Sequence, residues 1–186
     1  MRERRFSKKR MPRRVFLVIC EGDTEETYVE ALKQHFRLPI AIKTKVSGNK
    51  INARLVAQYI KELGLAKDDD YQVFYIYDSD IDCVVEKVRA FPGICVLSNP
   101  CIELWYMLHH AECRRPLDSA NMLKVFSASH HIWKSYLKGR LSNEQMRHLI
   151  ENRGFAAERA AKLRWPDNPS SNMGVFIEAL ENAKMS

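Results

Sequence analysis

The stretch Val15-Phe16-Leu17-Val18-Ile19-Cys20-Glu21-Gly22-Asp23 decides the fold. Its first six residues are an unbroken apolar run rich in β-branched side chains, the mark of a strand buried on both faces. Glu21-Gly22-Asp23 ends the run. Asp23 followed three residues later by Glu26 reads as a carboxylate capping box that opens a helix. Tyr28, Val29, Leu32 and Phe36 then recur at helical spacing, and Pro39 lies just past the end.

The same alternation continues outward. Residues 40–46 alternate like an edge strand, with Lys43 and Lys45 discouraging pairing with other chains. Ser47-Gly48-Asn49 is a turn, and Ile51 to Leu63 forms an amphipathic helix stopped by Gly64. Gln72 to Tyr77 is a third strand, followed by a helix from about Cys83 to Ala90. Ile94 to Leu97 is a fourth strand, and Pro100 suits the first turn of a helix over Cys101–His109. Four strand–helix pairs in succession predict an α/β fold with a mostly parallel sheet of about four strands. Beyond residue 112 only helical patterns are expected, near 120–126, 143–152, 155–163 and 171–183. The expected organisation is therefore a basic arm (1–14), an α/β core (15–112) and a C-terminal helical extension (113–186) packed on it.

Charge is distributed unevenly. The chain of 186 residues has a formal charge of +7. Residues 1–14 alone hold eight basic side chains and one acid, and the remaining 172 residues hold 22 of each sign. The excess is thus an arm rather than a uniformly basic coat. Arg4, Arg5, Lys8, Lys9, Arg10, Arg13 and Arg14 suit contacts to phosphates without sequence readout. Lys134 and Lys138, interleaved with Trp133 and Tyr136, are a second candidate for nucleic-acid contact, since bases stack on aromatic rings. The longest apolar run, residues 15–20, is far too short to span a membrane or to serve as a secretory signal. The five cysteines form no C-x-x-C pair, and His109, His110 and Cys113 lack a second ligand pair at zinc-like spacing. They read as reduced thiols of a cytoplasmic protein.

The chemistry gathers where the strands end. In open parallel sheets ligands bind beyond the carboxyl ends of the strands. The first strand ends in Glu21-Gly22, the third in Asp78-Ser79-Asp80 and the fourth in Ser98-Asn99. Asp78 and Asp80, two residues apart, can face one cation from an extended segment. Carboxylates gathered in one place repel one another unless protons or a cation intervene. Glu21, Asp78 and Asp80 therefore form a candidate site for Mg²⁺ or Mn²⁺, with the phosphodiester chemistry such ions support.

The Glu-Gly and Asp-x-Asp strand ends are similar to those of a Toprim domain. The segment Ser98-Asn99-Pro100-Cys101-Ile102-Glu103-Leu104-Trp105 with His109, and the later Asn168-Pro169-Ser170-Ser171-Asn172, resemble the RloB-like family over nearly the whole chain. The resemblance implies a Toprim-like (Rossmann-like) sheet and a Mg²⁺-dependent nuclease of bacterial phage defence, abortive infection or restriction-linked loci. Glu21 would be the general acid/base or bridge the metal, Asp78 and Asp80 would hold it, and Glu103 would be a further acid. A partner of ATPase or restriction-system type is also implied, and no G-x-x-x-x-G-K loop supplies an ATPase in this chain. The alternative is a non-catalytic nucleic-acid-binding or assembly subunit with a degenerate site. Trp105 to Leu108 are expected to pack into the core, and the histidine pairs 109–110 and 130–131 to lie at the surface or to cap helices.

Overall fold

A computed structural model describes residues 14–66 and 68–185. The elements follow the chain as β1 (Val15–Cys20), α1 (Asp23–Phe36), β2 (Ala41–Val46), α2 (Ala53–Glu62), β3 (Tyr71–Asp78), α3 (Asp82–Arg89), β4 (Ile94–Asn99) and α4 (Ile102–Leu108). Then come α5 (Ser119–Ser129), α6 (Asn143–Glu151), α7 (Arg153–Ala161), β5 (Ser170–Ser171) and α8 (Gly174–Met185). The strands make one sheet in the order β2-β1-β3-β4-β5. The first four run parallel, and β5 is antiparallel to β4. This is a Rossmann-like α/β sheet flanked by helices on both faces.

Alternate residues of the central strands serve two apolar layers, as the two-residue period requires. Leu17, Ile19, Val73, Tyr75 and Tyr77 pack with Ile51 and Val56 near α2 and with Val84, Val85 and Val88 of α3. On the other face, Phe16, Val18, Phe74 and Ile76 join α1 and α4 with Phe126, Trp133, Leu149, Phe176 and Leu180 from the C-terminal half. The described residues from 113 onward thus complete the core that covers one face of the sheet.

Three local expectations are corrected. The helix after β1 is capped by Gly22, and the carboxylate reaching back to the cap is Glu25, not Glu26; Gly22 N–H donates to Glu25 Oε2 at 2.8 Å. The sheet has a fifth strand in the region expected to be purely helical. Its two residues are too few to show an alternating pattern. Pro100 precedes α4 rather than opening it, because Cys101 takes the cap position and the helix begins at Ile102.

Candidate functional site

The strand order reverses between β1 and β3, since β2 lies on one side of β1 and the later strands on the other. Such a switch point opens a crevice at the carboxyl edge. Glu21 leaves β1 on one side of it, and Asp78 ends β3 on the other. The Glu21 carboxylate spans the gap, with Oε2 accepting the Asp78 backbone N–H at 2.9 Å. Asp78 Oδ1 in turn accepts the Ile102 N–H at 2.8 Å, at the start of α4. Each acid is thus positioned by a backbone amide rather than by another flexible side chain. Asp80, further out, accepts the Ser119 hydroxyl at 2.9 Å. Beside it lies a cleft of ≈ 550 Å³ lined by Ser79, Asp80, Asn99, Asp118, Ser119 and Asn168.

Glu103 is fully buried on the first turn of α4. Its Oε1 accepts the Tyr136 hydroxyl at 3.0 Å and lies 3.7 Å from Lys138 Nζ. Its Oε2 is buried with no hydrogen-bond partner. The segment carrying Lys138 is fastened to the start of α1: Gly139 N–H donates to Thr24 Oγ1 at 3.0 Å, and the Thr27 hydroxyl donates to Gly139 O at 3.1 Å.

Electrostatics tie these groups into one unit. Burial pushes Asp78 well above the usual carboxylate range, and the charges of Glu25, Glu21, Glu103 and Asp80 push the same way. Burial also raises Glu21, with Asp80 adding to it and the Asp78 amide opposing. Glu25, only 5% exposed, is pushed up to about 7 by burial, with Glu21 and Glu103 contributing. Burial opposes the charge on Lys138, yet Glu103, Asp78 and Glu25 raise its pKa on balance. Five carboxylates and one ammonium group therefore share one field.

An α/β protein of Rossmann-like build with a carboxylate cluster at its switch point is the class this fold and site define. Within it, the chain belongs to the RloB-like protein family, whose family model matches residues 16–180. No curated protein and no solved structure matches the chain.

The structure brings Glu21, Asp78 and Glu103 to one edge, with Asp80 at its rim, and adds Lys138 to them. Glu25 is the site residue that the sequence reading missed. Its signal was the Gly22–Glu25 spacing, obscured by the equally good Asp23–Glu26 spacing one residue later. Arg4, Arg5, Lys8, Lys9, Arg10 and Arg13 lie outside the described residues. Arg14 sits at the amino end of β1, 3.5 Å from Asp70 and over the Phe16 ring, at the opposite end of the sheet from Glu21. Lys134 is exposed, whereas Trp133 and Tyr136 are buried and offer no ring face to a base. Trp105 is also buried, with its indole N–H donating to the Tyr28 hydroxyl at 2.9 Å. His109 is core rather than surface, 2% exposed, with Nδ1 at 2.8 Å from Trp105 O. His130 is a cap, its Nδ1 accepting the Ile132 N–H at 3.4 Å.

The donor set suits a hard divalent cation: oxygen atoms only, mutually repelling, with Glu103 Oε2 unpartnered. Among the described residues, no three acidic, histidine or cysteine side chains stand close enough together to hold one ion. As it stands, the cluster is not a preformed cage.

Proposed function

We propose that the chain is a metal-dependent nuclease of the Toprim type, hydrolysing phosphodiester bonds of DNA or RNA in bacterial phage defence. The observation that carries this reading is the gathering of Glu21, Glu25, Asp78 and Glu103 at the switch point with Asp80 at its rim, where burial first, and mutual repulsion second, raises Asp78, Glu21 and Glu25. A group of this kind is costly to bury unless it serves a ligand that relieves the repulsion. Glu21, Asp78 and Asp80 would hold Mg²⁺ or Mn²⁺, which when bound supplies charge neutralisation and a more acidic water.

The chain's own residues supply the rest. The Ile102 N–H holds the Asp78 carboxylate, and the Asp78 N–H holds that of Glu21, so both are oriented before substrate arrives. Lys138 places a positive charge beside the cluster, where a phosphate oxygen would otherwise meet only negative charge. Glu25, with a pKa near neutrality, is suited to accept or return a proton at Oε1 or Oε2 at physiological pH.

The test is to incubate wild type, Asp78→Asn and Glu21→Gln with mixed DNA and RNA in Mg²⁺, Mn²⁺ or EDTA, and to map the ends. Expected are cuts that vanish in EDTA and fall by at least ~100-fold in either variant. Cleavage that persists in EDTA or in Asp78→Asn overturns the reading. A second reading, a nucleic-acid-binding or assembly subunit without catalysis, draws on Lys138 and the backbone amides, which already serve as partners for the acids. It predicts salt-sensitive binding that Asp78→Asn leaves intact, with no cutting under any metal.

A further inference from the structure

Leu137 is the most exposed large apolar side chain among the described residues, at 62%. Its backbone is not loose. Leu137 opens a tight turn in which Arg140 N–H donates to Leu137 O at 3.0 Å, and Leu137 pairs with Arg140 as an isolated bridge. Gly139 takes φ +75° in that turn, a conformation that only glycine adopts without strain. The residues on either side of Leu137 are anchored at the acidic cluster, Tyr136 through its hydroxyl to Glu103 and Lys138 through its ammonium to the same carboxylate. Gly139 is clamped from both sides by Thr24 and Thr27. An apolar side chain is therefore held out into solvent by a fixed turn, directly beside the candidate centre.

Its surroundings state what it faces. Lys138 and Arg140 are exposed in the same turn, and Lys134, also exposed, stands three residues before Leu137 in the chain, so the turn presents two cations and one apolar tip, with a third cation just ahead of it. Cations beside a hydrophobic tip suit a polyanion with an apolar interior, which is a stack of base pairs. Proteins that bend or open nucleic acids insert such apolar wedges between base steps while basic side chains hold the phosphates. The buried Trp133 and Tyr136 leave Leu137 as the apolar group in this turn that can reach a base.

We infer that Leu137 is a wedge that unstacks a base-paired nucleic acid at the carboxylate cluster, with Lys134, Lys138 and Arg140 gripping the flanking phosphates. The inference rests on the nuclease reading for the identity of the neighbouring site. It specifies the substrate further: a duplex or hairpin opened locally, rather than a strand that is already single. Unstacking kinks the duplex and turns the backbone at that step towards the acids, at a cost of a few kcal/mol that burial of a leucine partly offsets.

The experiment uses a DNA duplex and an RNA hairpin, each carrying one 2-aminopurine, with the full chain in Ca²⁺ to bind without turnover. Binding is followed by anisotropy of the same oligonucleotide. Wild type is expected to raise the emission severalfold at saturation. Leu137→Ser is expected to bind and leave the emission near that of free duplex, and Leu137→Met to restore the rise. In Mg²⁺, Leu137→Ser should slow duplex cleavage by about tenfold or more, and by less on a single strand. An equal rise with Leu137→Ser and wild type overturns the wedge, as does binding by wild type without any rise. A change of oligomeric state in Leu137→Ser without change in emission assigns the tip to a second copy and also overturns it. Binding and unstacking with no cleavage under any metal would sink the nuclease reading and leave the wedge standing. Cleavage without unstacking does the reverse, and the DNA and RNA arms show which duplex is opened.

Discussion

Glu25 and the histidines near His110 place two opposing pH dependences in one molecule. Glu25 is raised to about 7 in the fold. The unfolded chain loses that proton near pH 4.5, so the stabilisation is complete below about 4.5 and is lost as pH rises through 7. Glu25→Gln keeps an oxygen for the Gly22 N–H and removes the charge. Its urea midpoint should exceed that of wild type at pH 8, by about 1–2 kcal/mol in stability, and match it at pH 4.5. The histidines act the other way. His110, His130 and His148 lie with ring centroids 5.4–5.6 Å apart. Burial lowers His110 to about 4, with His148, His130 and Arg159 contributing, and also lowers His148. His110 and His148 fold neutral, so their contribution is complete above about pH 6.5 and is lost as pH falls towards 4. Denaturant titrations of His110→Gln at pH 7.5, 6 and 4.5 should show a flatter acid limb than wild type; an unchanged limb counts against the cluster as its cause. At this scale the acids at the strand ends were legible in the sequence, because strand length alone fixes where they emerge. The burial of His109 was not: it lies one helical turn after Trp105 and packs edge-on against that indole, and nothing in a pair of adjacent histidines says which of the two turns inward.

Among the elements, β5 and the residues around it show why a nearly invisible strand matters. Asn172 extends the edge of β4 with its side chain as well as its backbone. Its N–H donates to Leu97 O at 3.1 Å, its Oδ1 accepts the Leu97 N–H at 2.6 Å, and its Nδ2 donates to Cys95 O at 2.9 Å. Asn168 does the same for Leu117, accepting its N–H at 3.2 Å and donating to its carbonyl at 2.7 Å. The two asparagines of the Asn168–Asn172 segment are therefore backbone surrogates that close the sheet edge and fix the loop before α5. Asn172→Ala strips partners from two β4 backbone groups and should cost about 2–3 kcal/mol in chemical denaturation, with faster hydrogen exchange at the Leu97 amide. The four parallel strands and most helices were readable from periodicity. The fifth strand was not, because side-chain amides there do what a longer strand's backbone would do, and no hydrophobic pattern records it.

Taken whole, the molecule has poles. Residues 1–13 hold seven basic side chains and Glu3, so six of the seven net charges lie in that segment, outside the described residues. Removing them should weaken nucleic-acid binding and shallow its salt dependence by up to ~6 in the log–log slope. Unchanged affinity after truncation would leave binding to the body alone. The parallel sheet fixes where that charge is rooted. The chain enters the fold at Arg14, which is held by Asp70 and Gln72 at the amino edge, and the acids stand at the carboxyl edge. Six residues of β1 separate the two, about 20 Å at strand rise. That separation acts as a ruler. A polymer gripped at the root of the arm and cut at the acids must cover about 20 Å, or roughly six nucleotide steps at ~3.4 Å each. Fragments shorter than this engage one pole at a time, so affinity should climb in a step once the substrate passes that length, and cut ends should fall no closer than that to the bound terminus.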